Sequence, residues 1–294
     1  MKIEQKRDKT PKKKTTFFLG IHQPLWLCDG RITGPAFVSI RSLSGRKSSW
    51  PNVTPCAYAI DSGGFTELHK FGEYRTTPKD YAKKVMRCFK ELGPPVFAAA
   101  QDFMCEDSAL KSTGLTVQEH QTRSVESVLR LRDLEDRISW LPVLQGREPE
   151  DYLRHFDQYE RAGFDLTRAP RVGVGSICRR QKDSEILRVI RRLSSLGLRL
   201  HGFGVKATGL SAIAEHLDSA DSMAWSFAAR RSSPHRTVMA NCPYVAEKYR
   251  VFMDCIIIGE GVSQARVAFH ASYKSFDGHL TCKHRPLREV VSGD

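Results

Sequence analysis

Short apolar runs alternate with longer amphipathic stretches along most of the chain. Runs at 17–22, 36–41, 57–61, 96–101, 140–145, 172–176, 199–204 and 220–225 predict eight strands. Several are apolar almost without interruption, the pattern of parallel strands buried on both faces. Helical periodicities lie between many of them. Over 78–92, Pro78 follows Thr77 at a first helical position, Tyr81, Val85, Phe89 and Leu92 share one face, and Gly93 closes the element. Over 151–162 the stripe is Tyr152, Phe156 and Tyr159, ahead of Gly163. Over 184–196 it is Ile186, Leu187, Ile190 and Leu193, ahead of Gly197. A shorter helix is predicted over 209–217 and a mostly helical segment over 240–266.

Eight strands with helices between them predict an α/β fold, a (β/α)8 TIM barrel; the doubly wound open sheet is the alternative. The connections 23–35 and 42–56 carry no clear helical pattern, and 271–294 predicts no element. The expected organisation is a flexible basic tail over 1–16, the barrel over 17–239, and a helical extension over 240–294 packed on its exterior.

Composition narrows the class. With 294 residues, 40% of them hydrophobic and 27% charged, the chain reads as globular and not disordered. No apolar run approaches the length of a membrane span, and the first one is too short for a secretory core. The eight cysteines (28, 56, 88, 105, 178, 242, 255, 282) include no CxxC pair. Reduced thiols and a cytoplasmic location are expected, in the host cytoplasm if a phage encodes the chain.

The net charge is +13, and seven Lys or Arg against two acids in residues 1–14 contribute +5 of it, leaving +8 for the rest. Arg pairs fall at 179–180, 191–192 and 230–231. A pI near 9.5 suits a phosphate-rich partner, because neutralising phosphates releases counterions. Charge alone does not separate DNA from RNA.

Polar residues at the ends of the apolar runs carry the chemistry. Asp61, Asp102, Gln145 and Asp221 stand at four separate predicted strand ends, with Ser62-Gly63-Gly64, Gly146, Gly173, Gly175 and Gly204 beside them. In a barrel these positions share the carboxyl-terminal rim, where active sites of this fold are built. A single Asp at a strand end caps a helix or forms a turn. Three carboxylates and a carboxamide converging on one rim are costly without a purpose or hydrogen-bond partners. There is no Walker loop, GxGxxG or GxSxG. Cys242, Cys255, Cys282 and His284 are too scattered for metal-ligand spacing, so no metal and no cofactor are expected. Paired carboxylates suit substitution at a sugar anomeric carbon, one as nucleophile and one as acid/base.

The ordered series LGIHQP (19–24), DSGGFTEL (61–68), QDFMCE (101–106), LQG (144–146), VGVGSICRR (172–180), LHGFGVK (200–206) and SADSMAWS (219–226) resembles the tRNA-guanine transglycosylase superfamily. Within it, the text is most similar to the DNA-modifying DpdA branch, over about residues 17–231. The resemblance implies that Asp221 is the nucleophile at the anomeric carbon and Asp61 the neighbouring acid/base. It implies that Asp102 reads the N1/N2 edge of the base and that Gln145 reads its carbonyl edge. Ser62, Gly63, Gly146, Gly173 and Gly175 would complete the base site, and Lys206, Arg230 and Arg231 would meet phosphates. The implied reaction exchanges guanine in DNA for a 7-deazaguanine base, 7-cyano-7-deazaguanine being the best match, with possible helper proteins. The zinc-binding C-x-C-x2-C of the tRNA enzymes does not follow Asp221 here, which favours DNA over the same exchange in tRNA. A metal-free barrel acting on a small phosphorylated sugar and a catalytically silent DNA-binding barrel are the remaining alternatives.

Overall fold

The structure, a computed structural model, describes residues 15–177, 184–226 and 243–258. Its strands are β1 (Thr16–Ile21), β2 (Ala36–Ser39), β3 (Tyr58–Asp61), β4 (Ala98–Ala99), β5 (Trp140–Leu141), β6 (Val143–Leu144), β7 (Val172–Val174), β8 (Leu200–Gly202) and β9 (Ser219–Ser222). Every pairing is parallel, and β1 lies between β2 and β9. The expected fifth strand is broken at Pro142, whose ring nitrogen has no hydrogen for the ladder. Its first half, β5, pairs with β4, and its second half, β6, pairs with β7. One stretch of chain therefore joins the two ends of the sheet, and the strands form a TIM-like barrel. A doubly wound sheet would leave two open edges far apart, so that alternative is set aside.

The helices are α1 (Ile40–Ser44), α2 (Gly64–Phe71), α3 (Pro78–Leu92), α4 (Asp107–Thr113), α5 (Val117–Leu134), α6 (Pro149–Arg161), α7 (Ser184–Ser195), α8 (Ala207–Ile213) and α9 (Pro243–Ile257). α3 has the predicted bounds, with the Thr77 hydroxyl accepting from Asp80 N–H and Gly93 at φ 83°. Most strands are shorter than their apolar runs, β4 most of all with Ala98–Ala99 from 96–101, and two of the runs end in helix. After β2 the chain turns helical at Ile40, because Ser39 caps α1 by accepting from Arg41 N–H. After β9 it turns helical again at 224–226, so Trp225 is not in a strand. The connection 23–35, expected to lack a helix, contains a short 3-10 turn at Pro24–Cys28.

α5 was not legible as a stripe, since His120, Gln121, Ser124 and Ser127 are among its buried residues. Its start is nevertheless written in the sequence. Thr116 accepts from Glu119 N–H at 3.2 Å, and the Glu119 carboxylate accepts from Thr116 N–H at 2.8 Å, a reciprocal capping box. Thr116→Ala is expected to cost about 1 kcal/mol of stability in urea unfolding.

Strand alternation divides the core in two and builds the floor of the site. On β1, Phe17, Leu19 and Ile21 face the helices, while Phe18 joins Phe37, Ala59, Phe97, Ala99 and Leu141 inside the barrel. One strand period above this floor, the inward positions are Gly20, Ser39, Asp61 and Phe203. The inward face of β9 likewise runs from Ser219 to Asp221. The pleat that seats the phenylalanines thus aims both carboxylates at the rim.

α9 packs on β1 and α8, burying Ala246, Tyr249, Phe252, Met253 and Ile256, with the Tyr249 ring edge-on to Phe17. Among the described residues no helix is long and apolar enough to cross a membrane. Residues 1–14, most of the expected extension, and Arg230, Arg231, Cys242, Cys282 and His284 lie outside the described residues.

Candidate active site

A cavity of about 430 Å³ opens at the carboxyl ends of the strands, within the usual range for small-molecule sites. Asp61, Ser62, Asp102, Gln145, Gly175 and Asp221, all singled out in the sequence, line it. Residues contributed by strands across the barrel therefore meet at one hollow.

Asp61 ends β3. Its Oδ2 accepts from Gly63 N–H at 3.0 Å, in a turn that Gly63 makes at φ 78°. Burial raises the Asp61 pKa; hydrogen bonds from Ser39 and Gly63 oppose this, and the charge of Asp221 adds to it. A carboxyl that feels its neighbour's charge and holds its proton above the usual range is suited to acid/base work. Gly64 lies where a Cβ would collide with the Tyr74 hydroxyl. That hydroxyl donates to the Asp102 backbone carbonyl at 2.9 Å and pairs with Ser62 Oγ at 3.2 Å.

Asp221 is only 6% exposed. Its Oδ1 accepts from Gly204 N–H at 3.1 Å, and His201 Nε2 lies 3.4 Å from the same oxygen. His201 is fully buried among Phe18, Phe37, Phe97 and Phe203. Burial lowers its pKa, with Asp221 opposing, so the ring tends to neutrality. Ser219 Oγ sits 2.8 Å from its Nδ1. With that hydroxyl donating to Nδ1, the ring hydrogen resides on Nε2 and faces Asp221. The Gly204 N–H donates to Oδ1; among the described residues no hydrogen-bond donor reaches Oδ2.

Asp102 follows β4, and burial pushes its pKa to about 7. The hydrogen bond from Gln145 lowers it, and the charge of Asp61 raises it further. Gln145 Nε2 donates to Asp102 Oδ2, and Ser176 Oγ donates to Gln145 Oε1 at 2.7 Å. Gly175 passes so close to the Gln145 amide that a Cβ there would overlap it.

The other predicted residues have different surroundings. Gly63 holds Asp61 and does not line the cavity. Gly173 lies where a Cβ would meet the Phe203 ring at 2.5 Å, inside the barrel. Gly146 lines a neighbouring hollow with Cys105, Glu106, Arg147 and Ser176. Lys206 is exposed at the N-terminal cap of α8, on the same rim. The cavity also contains residues to which the sequence reading gave no role: Ser39, Met104, Glu106, Ser176 and Phe203. Phe65, 53% exposed at the cavity, stacks on His69 at 4.2 Å between ring centroids.

Fold and site together define a parallel α/β barrel with a carboxylate-lined pocket at its carboxyl-terminal rim. The family model DpdA, DeoxyPurine in DNA protein A, matches residues 13–258, and the chain belongs to that family. No curated protein matches it. Among solved structures, the X-ray crystal structure of the YdjI aldolase from Escherichia coli K12 is similar at 12% identity and a TM-score of 0.42, covering 87% of this chain and 96% of that one.

Proposed function

We propose that the protein is a DNA-guanine transglycosylase, exchanging guanine in DNA for a 7-deazaguanine base by double displacement. The observation that carries the reading is the pair Asp61 and Asp221 on one cavity, close enough for the charge of one to raise the pKa of the other. Membership of the DpdA family supports DNA as the nucleic acid.

In this reading the target nucleotide leaves the stack and enters the cavity. Asp102 accepts from the base's N1 and N2 hydrogens, and Gln145 donates to its carbonyl. Asp221 Oδ2 attacks C1′; the C1′–N9 bond breaks, guanine departs with the proton that Asp61 gives up, and the sugar is held as an ester. The incoming base then occupies the same pocket. Asp61 takes its N9 proton, and N9 attacks C1′ to displace Asp221 with net retention. One N-glycosidic bond replaces another, so the reaction needs no energy source. Deoxyribose lacks the electron-withdrawing 2′-hydroxyl, which eases ionisation at C1′. Lys206, Arg230 and Arg231 are proposed to contact phosphates, and 7-cyano-7-deazaguanine is the proposed incoming base.

The test is incubation of the protein with labelled guanine and either duplex DNA, single-stranded DNA or tRNA. Label entering DNA is the expected result. Label entering tRNA alone would move the substrate to tRNA, and no label in any nucleic acid would overturn the reading.

A further inference from the structure

Gln145 is the cavity residue whose two ends differ most in chemistry, a carbonyl oxygen and an amino group of nearly equal size. Turning the amide over would exchange a donor for an acceptor without changing the shape of the pocket. Something must hold one face toward the ligand.

The hydrogen-bond sequence around it has a fixed direction. Cys105 N–H donates to Ser176 Oγ at 2.9 Å. A backbone amide cannot accept, so this contact makes the hydroxyl oxygen the acceptor. The oxygen keeps a second lone pair, so the Asp102 carboxylate at the other end of the amide completes the order: it takes Nε2, and the Ser176 hydrogen goes to Gln145 Oε1 at 2.7 Å. With Oε1 committed to Ser176, Nε2 faces the Asp102 carboxylate and donates one hydrogen to Oδ2. Its second hydrogen meets no acceptor among the described residues, and Gln145 lines the cavity.

The backbone at Ser176 reinforces this reading. It adopts φ 56°, and no other non-glycine among the described residues has positive φ. A serine held there costs free energy that glycine would avoid. The strained conformation places the hydroxyl between β7 and the loop after β4, 8% exposed, in reach of both Cys105 N–H and Gln145.

We infer that Ser176 is a specificity-determining positioning residue: its hydroxyl locks the Gln145 amide so that the cavity presents an N–H donor, selecting a base with a carbonyl at its 6-position over one with an amino group there. The inference rests on the proposed base-exchange reading. It adds to that reading the residue that sets the polarity of Gln145 and acts on the base through that amide.

The experiment compares incorporation of free guanine, 2,6-diaminopurine and hypoxanthine into DNA by the wild type and by Ser176→Gly. Guanine and 2,6-diaminopurine share the 2-amino group and differ at the 6-position. Hypoxanthine keeps the carbonyl and lacks the 2-amino group. Glycine accepts positive φ without strain, so this variant removes the hydroxyl while favouring the observed backbone. The discrimination in kcat/KM between guanine and 2,6-diaminopurine is expected to fall at least tenfold in Ser176→Gly. Discrimination against hypoxanthine should move by less than threefold, and the variant should keep a cooperative thermal melt, because relief of the backbone strain offsets part of the two lost hydrogen bonds. Equal loss against both analogues would indicate general damage to the pocket and overturn the inference, as would unchanged discrimination. Failure of the wild type to incorporate guanine would instead sink the base-exchange reading, so the two failures are distinguishable.

Discussion

Asp221→Asn is expected to lower base exchange in DNA by about 10³-fold or more while leaving the melting temperature near that of the wild type. The substitution removes a nucleophilic oxygen and keeps the size of the side chain. The asparagine carbonyl still accepts from Gly204 N–H, the bond now made by Asp221 Oδ1. The lost group is Oδ2, which the Gly204 bond to Oδ1 leaves available to the cavity. An amide nitrogen at that place carries no charge to offset the positive charge developing on the sugar. Initial rates with labelled guanine, alongside a thermal melt, check the prediction. Wild-type exchange by Asp221→Asn would remove this residue from the mechanism.

Asp102→Asn is expected to lower kcat/KM for guanine by about 10²–10⁴, the loss for two hydrogen bonds to a charged acceptor. It should also abolish a pH limb. The Asp102 carboxyl, its pKa pushed to about 7 by burial, must be ionised to accept from two base hydrogens. Wild-type kcat/KM should therefore fall as pH drops below about 7, and the variant should lack that dependence. Stability moves the other way. The folded state holds this proton more tightly than the unfolded chain, so the contribution is full below the unfolded pKa and is lost as pH rises through about 7. Asparagine carries no such proton, and the melting temperature of Asp102→Asn relative to wild type should climb between pH 5 and pH 8. A flat difference across that range, or an unaltered kcat/KM profile, would contradict the assignment.

These two predictions draw on residues that the sequence exposes plainly, and the reason is the geometry of a barrel strand. A polar side chain closing an apolar run has few places to go except the rim, so Asp61, Asp102, Gln145 and Asp221 could be gathered from the chain alone. The strands themselves were legible because both of their faces are buried. α5 was harder: its inward face includes His120, Gln121 and Ser124, each satisfied by a specific bond, so no apolar stripe survives. Its capping box at Thr116 and Glu119 was the readable signal. Ser176 left none. Its role depends on a left-handed backbone, and serine is not a residue whose presence announces one. His201 was visible as a strand-end residue, but nothing in its neighbours along the chain reveals that Asp221 stands over it. Pro142 could have forecast the break between β5 and β6, since a proline inside a buried strand must interrupt the ladder.

Burial also organises the electrostatics of the site. Asp61, Asp102 and Asp221 line one cavity, with no Lys or Arg among its described lining residues. Their charges are moderated by backbone and amide N–H groups, and burial shifts the Asp61 and Asp102 carboxyls toward holding their protons. Such a set is expensive to keep folded, and a bound base whose N–H groups face Asp102 would relieve part of that cost.

The most direct measurement is denaturing mass spectrometry of wild-type protein quenched during reaction with guanine-containing DNA in the absence of an incoming base. The account predicts a protein–DNA conjugate joined through C1′ of the vacated sugar, mapping after digestion to the peptide that contains Asp221. A conjugate mapping to Asp61 or another residue, or exchange that inverts C1′ and never forms a conjugate, would contradict it.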